Sequence, residues 1–277
     1  MEGISDTRDP DELWKRMKEL QAANNIDAYY LLAPRAQELI ETYVEHYGLC
    51  FELASAYGAQ ARDQATCRPG RLVAAIRSHH YYSLASDIAL SSLEDVRILP
   101  KGWQSQDCGV VDRQTAQLRA LREAAAVLLQ LDWVDDAWKW QWVSQSLAPV
   151  VQAAKTYDEA HLNLGQAYSK LGELDRAEVT WREAQRLPNA APELQGCLLS
   201  LRLARANRAA GANNWSEVIR ILDGQCDLTP KELVVLGDAF QNTGQPDRAR
   251  GTWQAALRGD PNEKAAQERL SQHQQAA

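Results

Sequence analysis

The sequence predicts an all-α fold, and three observations carry that expectation. Ala, Leu, Gln, Glu and Arg dominate the 277 residues, and all are good helix formers. Runs of Val, Ile and Thr that could serve as strands are few. Two stretches, Asp158–Asn189 and Pro230–Asn262, also write one pattern twice. Leu164-Gly165 and Leu236-Gly237 are each followed at equal offsets by an aromatic (Tyr168, Phe240), a glycine (Gly172, Gly244), an alanine (Ala177, Ala249), a tryptophan (Trp181, Trp253) and a second alanine (Ala184, Ala256).

The amino-terminal third reads as helices that lack this pattern. Asp9-Pro10-Asp11-Glu12 opens the first: Asp9 is placed to cap, Pro10 suits the first helical position, and Glu12 sits where a capping box closes. Leu13, Met17 and Leu20 form its buried stripe. A long second helix is expected after Pro34, with Ile40, Tyr43, Tyr47, Phe51 and Ala54 on one face. Arg68-Pro69-Gly70 breaks the chain, and a third helix carries Val73, Ile76, His80, Leu84 and Ile88 on its apolar stripe. Residues 1–99 are therefore expected to form a helical module. The segment 100–112, within a stretch holding one proline and two glycines, reads as a loop or junction before residues 113–277.

The recurring pattern has a mechanical reading. Gly165 and Ala167 keep one helix thin so that a second packs close, and Tyr168 and Trp181 fill the space between them. Gly172 and Gly244 fall where a left-handed residue ends the first helix. Asp175 or Asp247 is placed to cap the second, and Pro261 ends its unit because proline cannot continue the hydrogen-bonded ladder.

In period and residue set, 158–191 and 230–263 resemble the tetratricopeptide repeat (TPR), a 34-residue helix–turn–helix unit. The resemblance implies a right-handed α-solenoid of antiparallel helix pairs. Gly165 and Gly237 lie 72 residues apart, two periods plus four, so a degenerate repeat is expected at 197–229. Its first helix would end near Gly211 and its second begin at Asn214 or Trp215, with Leu194, Leu198 and Leu201 on one face and Arg205 the polar exception. A further degraded unit is placed at 118–151, with Ala124-Ala125 in the tight-packing slot, Ala137 as the small residue of the second helix and Pro149 as terminator. The polar segment 262–275 suits a capping helix. The resemblance does not extend to residues 1–99.

Composition narrows the function classes. A net charge of −7 disfavours a general nucleic-acid or anionic-membrane surface. The amino terminus has no basic-then-apolar signal architecture, and no stretch approaches the ~18 apolar residues of a spanning helix. A cytoplasmic protein is the expectation. Five cysteines (Cys50, Cys67, Cys108, Cys197, Cys226), scattered and never in a CxxC pair, suit reduced thiols. No Gly-rich phosphate loop, HExxH or GxSxG is present, so no cofactor and no catalytic constellation is called for. His79-His80 is the most enzyme-like pair, but helix neighbours diverge by about 100° and cannot ligate one metal as an i, i+4 pair does. His80 instead reads as a core histidine. Cys67 beside Arg68 lacks a positioned base. In the Trp133–Trp142 cluster, Trp138 and Trp142 share a face directed at the core, while Trp140 projects elsewhere.

In the TPR family, positions 2, 5, 9, 12 and 13 of the first helices line a concave groove. The resemblance carries these to Glu159, Leu162, Gln166, Ser169 and Lys170, and to Lys231, Val234, Asp238, Gln241 and Asn242. Counting back from Gly211 puts Arg205 and Arg208 at the ninth and twelfth positions, beside Arg202. Gln166, Lys170, Arg202, Arg205, Arg208, Lys231 and Asp238 are therefore the candidate partner-binding set. An arginine ridge suits an acidic peptide or terminal carboxylate; the plainer reading is a solvated charged face. Some members of the family clamp acidic chaperone tails. Asn163 fits that pattern, but Leu162 and Gln166 stand where it requires Lys and Asn. The leading expectation is a non-catalytic adaptor, assembly factor or scaffold that binds a protein or peptide and has room for self-association. The other is an enzyme or regulator whose activity lies in residues 1–99.

Overall fold

The computed structural model describes residues 9–23, 26–42, 46–91, 96–98, 109–153, 158–188 and 190–276. The chain divides into two compact units, Met1–Leu171 and Gly172–Ala277. The fold is all-α, of the antiparallel helix-pair type that TPR solenoids use. The expectations for Tyr43, Cys108 and the junction residues 100–108 lie outside the described residues.

The first unit runs α1 (Pro10–Ala22), α2 (Ile26–Thr42), α3 (Tyr47–Arg62), α4 (Arg68–Ser91), α5 (Arg113–Leu129), α6 (Ala137–Ala153) and α7 (Asp158–Lys170). Between α4 and α5, β1 (Val96–Ile98) and β2 (Gly109–Val111) form a two-stranded antiparallel ribbon with Val96 opposite Val111. Asp9 opens α1 as expected, its Oδ1 accepting from the Asp11 backbone N–H at 2.9 Å. Leu13, Met17 and Leu20 are buried. Their core continues through α2, α3 and α4 and takes in Ala116, Ala120 and Ala124 of α5.

Three local expectations fail here for identifiable reasons. The long helix after Pro34 is instead two: Pro34 lies inside α2, and α3 restarts at Tyr47. His46 caps α3, its Nδ1 accepting from the Leu49 N–H at 2.9 Å while Nε2 lies 3.0 Å from Asp11. Histidine lies outside the usual Ser/Thr/Asp/Asn cap set, which hides the break.

On α4 the buried face is Ala74, Ala75, Ser78, Tyr81, Tyr82, Ala85, Ser86, Ile88 and Ala89. His80 is exposed and Val73 is half-exposed. Small and aromatic residues make most of the contact, with Ile88 buried among them as expected, because alanine lets neighbouring helices close up. Finally, Pro149 does not end α6, which runs on to Ala153, and Ala137 is exposed at its first position.

The second unit comprises α8 (Leu174–Gln185), α9 (Glu193–Gly211), α10 (Trp215–Leu222), α11 (Pro230–Asn242), α12 (Pro246–Gly259) and the terminal helix α13 (Lys264–Ala276). Gly237 lets α11 and α12 meet: a Cβ there would stand 2.4 Å from Trp253 Nε1. Gly172 and Gly244 adopt the left-handed conformation expected of them, both at φ 76°. Asp175 and Asp247 do not cap. The cap positions are Glu173 and Gln245, and both aspartates lie within the first turn, where a negative charge still complements the helix dipole.

Candidate binding groove

A helix pair, α9 and α10, stands where the 72-residue spacing places the degenerate repeat. α9 ends at Gly211, and Asn214 caps α10 through a side-chain oxygen that accepts from the Glu217 N–H. The left-handed residue is Asn213 (φ 56°), the one non-glycine with positive φ among the described residues. Asparagine tolerates that region better than other side chains. Asn214 N–H then bonds to Ala209 O at 2.9 Å, as Gln245 N–H bonds to Phe240 O at 2.8 Å in the last repeat.

Aligning Asn213 with Gly172 and Gly244 corrects the register. Ala206, fully buried, takes the place of Gly237, and Ala209 that of Phe240. The count from Gly211 is therefore off by two residues. Arg202, Arg205 and Arg208 leave the positions that the family resemblance assigns to the concave groove.

Helix lengths explain what these arginines line instead. α9 has 19 residues, while its partner α10 has eight. At 1.5 Å per residue, about 16 Å of α9 lacks a companion from its own repeat. A groove of about 770 Å³ opens there. Its floor is the first half of α9 (Gln195, Leu198, Leu199). One wall is α8, through Asp175, Glu178, Arg182 and Gln185, and the other is α10 and the following turn, through Glu217, Arg220, Ile221 and Asp227. Arg205 and Arg208 stand toward its far end.

The groove is mixed in charge, because most of its arginines are already paired. Arg202 reaches Glu232 at 2.7 Å and Asp227 at 2.7 Å. Arg205 pairs with both Asp175 and Glu178. Arg208 donates to the Gly172 carbonyl at 2.7 Å, a neutral acceptor. Arg182 shares Glu178 with Arg205, and Arg220 pairs with Glu217 in its own helix.

Of the other candidates in the second unit, Lys231 is exposed, and Asp238 is bridged to Arg269 of α13 at 2.9 Å. In the first unit, Gln166 is exposed, and Lys170 pairs with Asp135 at 2.7 Å. That aspartate also accepts from Trp140 Nε1 at 2.7 Å. Within the Trp133–Trp142 cluster Trp140 is buried, whereas Trp138 and Trp142 are half-buried, the reverse of the sequence expectation. The cause is Lys139, a lysine buried between α6 and the preceding turn. Its Nζ donates to the Leu131 and Val134 carbonyls at 2.6 and 2.9 Å and lies 4.6 Å from the Trp140 ring centre. These bonds turn the Lys139–Trp140 edge of α6 inward. Periodicity gives no sign of it, because a lysine is scored as a surface residue.

The enzyme-like residues have structural surroundings. His79 stacks on Trp142 with ring centres 4.9 Å apart, and its Nε2 is 3.4 Å from Ser146 Oγ. Burial, then the neighbouring His80, pushes its pKa down to about 4. Glu52 is buried and paired with Lys18 at 2.6 Å, and Cys67 is exposed. Among the described residues, no group of three or more His, Cys, Asp or Glu side chains is placed to hold a metal. None of their helices is long and apolar enough to cross a membrane.

The depressed His79 pKa makes a pH prediction. The neutral ring is the folded form, so its contribution is complete above about pH 6.5, the ordinary histidine value. It is lost as pH falls through about 4. In denaturant titrations, the first unit should lose stability progressively between about pH 6.5 and about pH 4, and His79→Gln should flatten that slope. An unchanged slope in the variant would refute the assignment.

No protein-family model matches the chain, and no curated protein matches its sequence. Solved structures do. A chain in the structure of Naa15/Naa10 bound to HypK-THB aligns over 97% of this chain with a TM-score of 0.61 at 14% identity. The alignment covers 34% of that chain, so the present sequence spans about a third of its length. A thermophilic TPR protein of Thermus thermophilus aligns over 96% of this chain and 98% of its own, with a TM-score of 0.33 at 14% identity. A tetratricopeptide repeat protein from Parabacteroides merdae gives 96%, 98%, 0.33 and 12%. At these identities the likeness to the first is one of fold: an all-helical, TPR-like arrangement.

Proposed function

We propose that the protein is a non-catalytic interaction scaffold that holds a segment of a protein partner in the groove over α9. The observation that carries this reading is the groove itself, about 770 Å³, which opens because α9 outruns α10. A surface that buries apolar side chains beneath a rim of fixed charges suits recognition: the floor supplies affinity and the rim sets register and selectivity. The TPR-like fold agrees with this, since stacked helix pairs are built to present extended binding surfaces. The chain of similar fold was itself solved within an assembly, Naa15/Naa10 bound to HypK-THB.

The test is a photoreactive benzoylphenylalanine placed at Leu199, inside the groove, or at Val179, which is exposed on α8 and outside the groove lining. Illumination in the native cell should give a discrete protein adduct from position 199 that position 179 does not give. Equal labelling from the two positions, or none from 199, refutes the groove as the binding site.

A further inference from the structure

The shape and charge of the groove specify its occupant more narrowly, given the binding role proposed above. We infer that the groove takes an amphipathic helix of about three turns from a partner protein, with its apolar face on α9 and acidic residues along its flanks. Such a helix would lie along α9 beyond the end of α10.

Helix length is the first argument. α8 and α12, the second helices of the flanking repeats, have 12 and 14 residues, whereas α10 has eight. The uncovered portion of α9 is about 16 Å, the length of three helical turns. Its leucines have the spacing of a helix seam. Leu194, Leu198 and Leu201 follow i, i+4, i+7 spacing; Leu194 and Leu201 are already buried, while Leu198 and the adjoining Leu199 are half-buried. Ile221, at the end of α10, extends the same floor. Rows at this spacing interlock with the rows of a second helix at an axial separation of about 8–10 Å.

Charge is the second argument. Arg202 and Arg205 each hold two carboxylates and have little left to offer. The rim arginines differ. The Arg182 and Arg220 side chains are 64% and 73% exposed. Among the described residues each is paired only through a one-turn contact in its own helix, with Glu178 and Glu217, and such pairs hold a guanidinium weakly. Glu178 is moreover divided between Arg182 and Arg205. Arg182 on α8 and Arg220 on α10 thus face the groove from opposite walls with donors free to take further carboxylates. A helix with Glu or Asp on both sides of its apolar stripe meets both, and a basic helix meets neither.

Selection from a random 15-residue displayed peptide library against the immobilised full chain tests this. Leu199→Glu serves as the counter-screen and Val179→Glu as the control for folding and for non-specific capture. Groove-directed peptides, those lost by at least about tenfold on Leu199→Glu and retained on Val179→Glu, are expected to show apolar residues at i, i+3, i+4 and i+7. Acidic residues should be enriched beside them. Arg182→Glu with Arg220→Glu should reduce their capture several-fold, and a proline at the peptide centre should abolish it. Groove-directed peptides without helical period, or indifferent to the central proline, overturn the helix inference and leave the binding groove standing. Helical binders without acidic enrichment, or indifferent to the arginine reversals, overturn its charge. A selection that yields no Leu199-dependent peptide counts against the groove itself, and the cross-linking result then decides that reading separately.

Discussion

Gly237→Val is expected to destabilise the second unit by about 3 kcal/mol, the upper part of the range for overpacking a tight helix contact. The reason is distance. A Cβ at Gly237 would stand 2.4 Å from Trp253 Nε1 and 2.5 Å from Cδ1, and Trp253 is itself 2% exposed, with no room to retreat. For a unit of roughly a hundred residues, this corresponds to a melting transition lowered by more than about 10 °C. Two companions isolate the cause. Gly251→Ala, on an exposed stretch of α12 where an added methyl meets nothing within 4 Å, should stabilise by about 0.5–1 kcal/mol through backbone entropy alone. Trp253→Leu loses packing by itself, yet in combination with Gly237→Val it should cost less than the sum of the two. Calorimetric melts of the native chain, Gly237→Val, Trp253→Leu and their combination give the coupling energy. Strict additivity would show that the contact is not the cause.

This contact also shows what the sequence makes legible. The Leu-Gly, aromatic, Gly, Ala, Trp pattern is a list of steric requirements, so each member can be read from the residues alone as a demand for close approach or a turn. The two left-handed glycines, the glycine under the tryptophan and the position of the α9–α10 pair all follow from it. The readings fail where an uncommon residue does a common residue's work. Asn213 takes the left-handed position in place of glycine, and this shifts the arginine register by two. His46 caps α3 where Ser or Asp would be expected. Lys139 is buried because two carbonyls receive it, and it carries Trp140 inward. On α4, small residues and tyrosine form most of the packed face, with Ile88 among them, while Val73 faces solvent. A ranking by hydrophobicity finds Ile88 but misses most of that face, because close approach depends on small size as well as apolar character.

The groove is the least legible feature. The arginine ridge is visible as spacing, but its acceptors lie on other helices: Asp175 and Glu178 on α8, Glu232 on α11. Which of them it meets depends on how three helices stack. The opening over α9 likewise depends on a difference in helix length. α10 ends at Asp223-Gly224, with Gly224 at φ 82°. That dipeptide is a turn signal in its own right, but the family period masks it by predicting a longer second helix.

Loss of the Glu232 carboxylate is expected to be the costliest polar change in the second unit, about 3 kcal/mol for Glu232→Ala. Glu232 is fully buried and meets Arg202 at 2.7 Å. It also closes the capping box of α11: its side chain accepts from the Thr229 N–H at 2.8 Å, and Thr229 Oγ1 accepts from the Glu232 N–H. Removing one member of a buried pair strands the other, at about 3–5 kcal/mol. The lower end applies because Arg202 keeps Asp227 and some contact with solvent. Burial alone would raise the Glu232 pKa, but the hydrogen bonds from Arg202 and Thr229 outweigh it and hold the carboxyl below its usual value. With the folded pKa depressed, the stabilisation is complete above the unfolded value of about 4.3. It is lost as pH falls through the lower folded value. Glu232→Gln keeps the shape and a hydrogen-bonding group but carries no charge. Its deficit against the native chain should be largest at pH 7 and shrink below about pH 4, as the native carboxylate itself takes up a proton. A deficit that stays constant from about pH 7 to pH 3 in denaturant titrations would show that shape, not the ion pair, secures α11 to α9.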